Sequence, residues 1–236
     1  MSTIFITGTS KGLGKGFAEY FLQEDHQVLG FSRSENTELT ASPNFKHHSI
    51  DLENLNAIEE VIEKALGGVE ALDLVILNAG VLGEIQTMVD SAVPSMQNVM
   101  DVNLWSNKVI LDTILKKGIA VKQVVGISSG ASINGNKGWS GYSISKAAFN
   151  MMIKLYAAEH QDTHFTALAP GLIDTGMQDY LCGKVNHEEF PSIQRLQEAR
   201  GTTAMPNGTE AGKLIAELIP KLLNTPNGSY QDVRKL

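Results

Sequence analysis

The sequence predicts an α/β fold, a doubly wound parallel sheet of about seven strands with helices on both faces. Three observations carry this expectation. Short β-branched and apolar runs alternate along the chain with longer segments of helical period. The first of those runs leads straight into a glycine-rich turn and then a helical segment. No shift of composition, low-complexity tract or tandem repeat divides the 236 residues, so 1–236 is expected to form a single domain.

Taken in order, the strands are expected at 3–7, 27–31, 45–50, 72–77, 121–127, 164–169 and, shorter, near 229–233. A helix from about 15 to 23 follows the glycine turn. The segment 55–66 shows the helical period well, with Leu55, Ile58, Val61, Ile62, Ala65 and Leu66 on one side and Glu59, Glu60, Glu63 and Lys64 on the other. A second long helix carries Met96, Val99, Met100, Leu104, Ile110, Leu111, Ile114 and Leu115 and stops at Lys116-Lys117-Gly118, where cations and a glycine suit a C-terminus. The stretch 176–207 fits neither period. It holds Met177, Tyr180, Leu181, Phe190, Pro191, Met205 and Pro206, and a partly apolar insertion of this kind is expected to be a substrate lid.

Charge and composition exclude several function classes. The formal net charge of −7, with basic residues scattered, argues against nucleic acid or an anionic membrane as partner. The one cysteine, Cys182, rules out an intrachain disulfide and has no histidine motif beside it. No apolar stretch approaches the roughly 20 residues of a membrane span, and no basic leader precedes the first strand, so a cytoplasmic protein is expected. The six histidines show no metal-ligand spacing, and the His47-His48 pair falls on a strand.

The glycine turn reads Thr7-Gly8-Thr9-Ser10-Lys11-Gly12-Leu13-Gly14. Between a first strand and a first helix, such a turn brings backbone N–H groups and the positive end of a helix dipole to a pyrophosphate, which points to a dinucleotide. The end of the second strand selects among dinucleotides. A ribose with free hydroxyls is usually met by an acidic residue there, whereas this chain reads Gly30-Phe31-Ser32-Arg33-Ser34. Ser32, Arg33 and Lys11 are expected to form an anion pocket for a 2′-phosphate, which favours NADP(H).

Tyr142 and Lys146 stand four residues apart on an expected helix, so they share a face, and Ser129 precedes the tyrosine by thirteen residues. An ammonium beneath a phenol favours the phenolate. Drawing a tyrosine from about pH 10 toward neutrality takes roughly 4 kcal/mol of such help. The trio is a proton-transfer device suited to a carbonyl oxygen, with Ser129 holding that oxygen in place. Ser128, one residue away, points the other way if the strand continues.

These motifs, together with Asn78-Ala79-Gly80 after the fourth strand, Asn103 in the long helix and Pro170-Gly171 with Thr175 after the sixth strand, resemble the short-chain dehydrogenase/reductase family over essentially the whole chain. The resemblance implies a single Rossmann-type domain. Within the family, Ser128-Ser129-Gly130-Ala131, Gly138-Trp139 and the ending Gln231-Asp232-Val233-Arg234 are most similar to the benzil reductases and related sepiapterin reductases. It implies that Tyr142 is the acid/base, that Lys146 lowers its pKa and holds the nicotinamide ribose, and that Ser129 orients the carbonyl. It implies further that Asn103 anchors a proton-relaying water, although a buried asparagine bonded to neighbouring backbone is the alternative. Asp51 and Leu52 resemble the adenine-contacting pair. Asn78, Ala79 and Gly80 follow as cofactor neighbours, with Asn78 stabilising the sheet, and Pro170, Gly171, Ile173 and Thr175 would lie at the nicotinamide. The ending departs from the glycine-rich tail that helps build tetramers, so a homodimer through the long helices is expected instead.

The leading function is an NADPH-dependent carbonyl reductase. Trp139, Leu172, Met177 and Tyr180 are candidates to line an apolar pocket suited to a bulky ketone or diketone. An NADP(H)-binding regulatory protein without turnover is the alternative from another class, which loss of the tyrosine or lysine would have favoured. An epimerase or dehydratase would be expected to carry a larger C-terminal substrate region.

Overall fold

The computed structural model describes residues 1–236. The chain begins with strand β1 (Thr3–Thr7), helix α1 (Gly12–Gln23), strand β2 (Gln27–Ser32), the single turn α2 (Thr37–Thr40) and strand β3 (Phe45–Ser49). Helix α3 (Leu55–Ala65) and strand β4 (Ala71–Leu77) follow. Next come α4 (Val93–Met100), α5 (Ser106–Lys116), β5 (Ala120–Ile127), α6 (Ser140–Glu159) and β6 (His164–Ala169). Helices α7 (Gly176–Lys184), α8 (Ser192–Ala199) and α9 (Gly208–Leu222) and strand β7 (Ser229–Asp232) complete the order.

All seven strands run parallel in the order β3-β2-β1-β4-β5-β6-β7. The order reverses between β1 and β4, so a crevice opens there at the carboxyl ends of the strands, where ligands bind in open sheets of this kind. Alternate side chains feed two cores. On one face Phe5, Phe31, Val75 and Val124 pack against Ile58 and Ile62 of α3, Ile110 and Ile114 of α5, and Phe149 and Ile153 of α6. On the other face Ile4, Ile6, Leu74 and Val125 pack against Phe17 and Phe21 of α1 and Ile215 and Ile219 of α9.

Two helical features depart from the expectation. The long helix 93–116 runs unbroken but is not α-helical throughout, because Asp101–Trp105 forms a π-turn between α4 and α5 with Asn103 at its centre. Such a turn is a change of hydrogen bonding within one turn of helix, which composition does not reveal. The stretch 176–207 contains two helices, although its sequence shows no clean period. The stretch buries Leu181 of α7, Ile193 and Leu196 of α8, and Phe190 and Met205 from its loops in a third, smaller core with Leu82 and Ile85. The base of this excursion is pinned where Asp174 N–H donates to the Pro206 carbonyl at 2.9 Å.

Helices α1 and α9 touch backbone to backbone. A Cβ on Gly16 would stand 2.1 Å from the Gly208 carbonyl oxygen, and one on Gly212 would stand 2.3 Å from the Gly16 carbonyl carbon. Small residues on both helices are what permit the approach.

Candidate active site

The crevice is assembled from strand ends. Thr7 closes β1 fully buried, and its Oγ1 accepts from Asn78 N–H at 2.9 Å and Ala79 N–H at 3.0 Å. Asn78 Nδ2 donates back to the Thr7 carbonyl at 2.9 Å, so Asn78 ties the ends of β1 and β4 together, as a sheet-stabilising residue should. The turn after β1 requires glycine at two positions for different reasons. Gly8 has φ +79, in the left-handed region, and Gly14 lies so close to Gly8 that a Cβ would stand 2.2 Å from its carbonyl oxygen. Helix α1 then starts with no side chain capping its first N–H groups, which remain available to an anion. The residues therefore fit a dinucleotide pyrophosphate: the turn is packed so tightly on itself and on Asn78 that only glycine serves at 8 and 14, and it ends at an uncapped helix start.

The three residues expected at a 2′-phosphate are placed differently from one another. Arg33 projects from the end of β2 with its side chain two-thirds exposed and only a loose 3.7 Å ion pair to Glu53. Ser32 differs from the expectation: it is buried, and its hydroxyl donates inward to the Ser34 carbonyl at 2.9 Å. Lys11, extended at the start of α1, carries its ammonium beside Gly176, 3.9 Å from where a Cβ there would stand. Asn36, which the sequence reading passed over, donates to the Ser10 carbonyl at 3.0 Å and caps α2. Its position at the head of Asn36-Thr37-Glu38 was the available signal. Asp51 is exposed, and Leu52 is buried in the core beneath it.

Thr175 packs against the phosphate turn, its Cγ2 3.3 Å from where a Gly12 Cβ would be. Gly171, after Pro170, has φ +81, and Ile173 is buried under the same loop. This loop, Ala79-Gly80 and the phosphate turn thus flank one crevice.

On α6, Lys146 is almost fully buried and donates to the Ile127 carbonyl at 2.8 Å. Its Nζ lies 5.9 Å from the centre of the Tyr142 ring. Burial lowers its pKa to about 8. Gly80 makes room for it, since a Cβ there would lie 3.5 Å from Lys146 Nζ and 3.1 Å from Asn103 Oδ1. Tyr142 corrects the expectation of a lowered phenol. Burial pushes its pKa up, and the group that pulls the other way is the Ser129 hydroxyl, because the Lys146 ammonium is turned toward Ile127. Ser129 Oγ accepts from Ala131 N–H at 3.1 Å, which leaves its own proton free to be donated. Ser128 points away, as the strand alternation requires, and its hydroxyl donates to Asn150.

Asn103 is fully buried in the π-turn. Its Oδ1 accepts from Val81 N–H at 2.8 Å, and its Nδ2 donates to the Val81 carbonyl at 2.8 Å and to Ser145 Oγ at 3.0 Å. This is the backbone-bonded arrangement held open as the alternative. Its own carbonyl accepts from Asn107 Nδ2 at 3.0 Å. Ser145, unremarked in the sequence, links this network to Tyr142 by donating to its carbonyl at 2.8 Å.

The candidate pocket residues converge. Trp139, Tyr142, Leu172, Met177 and Tyr180 all pack on the third core. The Trp139 ring lies 5.9 Å from that of Tyr142, and its Nε1 donates to Ser192 Oγ at 2.8 Å. Tyr180 OH accepts from Ile85 N–H at 3.3 Å. Ile85 and Phe190 join them, and each would clash with a side chain at Gly138.

Comparison with known proteins agrees with this construction. A benzil reductase ((S)-benzoin forming) of Bacillus subtilis is 29% identical over 247 residues, covering 100% of this chain and 99% of that protein. An NADPH-dependent pterin aldehyde reductase of Arabidopsis thaliana is 28% identical over 182 residues, covering 73% of this chain and 75% of that protein. The crystal structure of a short-chain dehydrogenase/reductase from Saccharomyces cerevisiae superimposes with a TM-score of 0.85 at 26% identity, covering 98% of this chain and 96% of the other. The sequence model of the short chain dehydrogenase family matches residues 2–185, a span that takes in the phosphate turn, Ser129, Tyr142, Lys146 and Thr175. With that span matched and the sheet order and crevice in place, the chain belongs to the short-chain dehydrogenase family.

Proposed function

We propose that the protein is an NADPH-dependent carbonyl reductase acting on an apolar ketone or diketone. The observation that carries this reading is the convergence of Ser129, Tyr142 and Lys146 at the edge of an apolar core contributed by the 176–207 segment. Gly8, Ser10, Gly12, Leu13 and Gly14 would cradle the pyrophosphate, Asp51 and Leu52 would flank the adenine, and Arg33 would meet the 2′-phosphate. Lys146 would hold the nicotinamide ribose, with Asn78, Ala79, Gly80, Pro170, Gly171, Ile173 and Thr175 around the ring. When bound, NADPH supplies the hydride that the carbonyl carbon accepts.

The chain's own residues do the rest. Ser129 donates a hydrogen bond to the carbonyl oxygen and fixes its position. Tyr142 gives that oxygen its proton as negative charge develops there; the Ser129 hydroxyl supports the phenolate left behind, and Lys146 would add its charge once its ammonium turns from the Ile127 carbonyl. Trp139, Leu172, Met177 and Tyr180 exclude water and accept the bulky substituents.

The working form is a homodimer in the cytoplasm. Ile144, Met151 and Leu155 on one side of α6 are 42%, 55% and 55% exposed, and Trp105 at the π-turn is 44% exposed. Spacings of seven and four put the α6 residues on one stripe, which a second copy would cover.

The test is a panel of carbonyl compounds that includes benzil and sepiapterin-like diketones, followed by NADPH and by NADH absorbance. Turnover with NADPH preferred is expected, and Arg33→Asp should move the ratio of kcat/KM toward NADH. No consumption of either cofactor across the panel, or a native preference for NADH, would refute the reading.

A further inference from the structure

Ser129 is held from behind. Its carbonyl accepts from Ser132 Oγ at 2.6 Å and from Ser132 N–H at 3.0 Å. Ser132 Oγ accepts from Asn150 Nδ2 at 2.8 Å, and Asn150 Oδ1 accepts from Ser128 Oγ at 2.5 Å. The peptide bond between Ser128 and Ser129 closes this chain of bonds into a ring. Asn150 lies on α6, four residues beyond Lys146 and eight beyond Tyr142. Its amide therefore joins the helix that carries the proton donor to the turn that carries the carbonyl-orienting hydroxyl.

The direction of each bond is fixed. Ser132 spends its one proton on the Ser129 carbonyl, so it must receive from Asn150, and only the amide nitrogen can give. The amide oxygen then faces Ser128, whose otherwise unpartnered hydroxyl donates to it. A carboxylate of the same shape at position 150 would offer acceptors on both sides and draw the Ser132 proton away from Ser129.

We propose that Asn150 is a positioning residue for the reduction, setting the Ser129 hydroxyl against Tyr142 through Ser128 and Ser132. This rests on the carbonyl reductase reading. A displacement of the order of 1 Å between reacting groups costs up to about a hundredfold in rate, so the ring is expected to show in turnover and not in cofactor binding.

The experiment compares Asn150→Asp, Asn150→Leu and Ser132→Ala with wild type. The readouts are steady-state reduction of benzil, NADPH binding by fluorescence, and amide exchange at Ala131 and Ser132, whose N–H groups are held by Ser129. The expected result is a fall in kcat of about tenfold or more, with NADPH affinity within about twofold of wild type and faster exchange at both amides. Combining Asn150→Asp with Ser132→Ala should cost little more than either change alone, since both open one ring. If Asn150→Leu does not fold, the near-isosteric Asn150→Asp and the Ser132→Ala protein carry the test.

A folded Asn150→Asp with wild-type kcat would overturn the proposal, as would an equal loss of NADPH affinity and turnover. Unchanged exchange at Ala131 would also overturn it. A wild-type protein that reduces no carbonyl compound sinks the reductase reading instead, and the exchange comparison still decides whether Asn150 holds the Ser129 turn.

Discussion

Replacing Tyr142 by Phe removes one oxygen atom and leaves the ring against Trp139 and the third core. Reduction should fall by at least about a hundredfold while NADPH binds as before, because the proton donor is lost and the packing is kept. Stopped-flow turnover beside a fluorescence titration checks both halves, and residual activity near wild type would remove Tyr142 from its role. Lys146 makes a prediction about pH. Its folded pKa of about 8 lies below the ordinary lysine value of 10.5, so folding disfavours the charged form. Below about pH 8 that cost is present in full, roughly 3 kcal/mol. Between about 8 and 10.5 the folded protein has shed a proton that the unfolded chain still holds, so this residue's contribution to stability rises with pH. Cofactor-free Lys146→Met should therefore lose its stability advantage over wild type across that window. Urea unfolding at several pH values reads the difference, and parallel curves would contradict it. The sequence spacing placed Lys146 near Tyr142 but held no record of its rotamer. Whether the ammonium faces the phenol or the Ile127 carbonyl depends on a strand end distant in sequence.

At the scale of elements, the contact between α1 and α9 is the tightest test of packing. Gly16→Ala would drive a methyl group into the Gly208 carbonyl and should destabilise the fold by at least about 2 kcal/mol, since neither backbone can give way without moving a helix. Gly183→Ala in α7, where a Cβ meets nothing within 4 Å, is the control and should be neutral or stabilising by about 0.5 kcal/mol. Chemical denaturation of the two proteins should separate them clearly, and equal midpoints would mean the helices can part at no cost. The strands were legible to within a residue at each end, because runs such as Leu74-Val75-Ile76-Leu77 are buried on both faces and carry no competing helical period. Helix α3 was legible for the opposite reason, its apolar stripe and acidic face being cleanly separated. The π-turn was not, since one extra residue in a turn changes hydrogen bonding without changing composition. Nor were α7 and α8. The apolar residues of α7 follow no helical period, and in α8 the buried stripe is only Ile193 and Leu196, which face Leu82 and Ile85 in a separate core instead of the sheet.

For the whole molecule, the segment 176–207 is joined to the remainder at a pinned base and through its small core, which makes it the part expected to move. Hydrogen exchange there should be fast in the cofactor-free protein and slow in a complex with NADPH and an unreactive ketone analogue. Equal protection in both states would make it a fixed wall and not a lid. The dimer proposal has its own check: Met151→Glu with Leu155→Glu should give a folded monomer by analytical ultracentrifugation, and an unchanged sedimentation coefficient would place the contact elsewhere. The union of α1 with α9 also bears on how the protein is made. A ribosome delivers the phosphate turn, Ser129, Tyr142, Lys146 and Thr175 before any part of α9 exists. Until residues 208–222 emerge, Phe17 and Phe21 lie with one side uncovered, and the glycine turn lacks the helix that α1 packs against. A nascent chain that already holds every residue assigned to the chemistry is thus expected to be an incompletely folded client for chaperones, and a late stop codon should yield aggregate and no weakened enzyme.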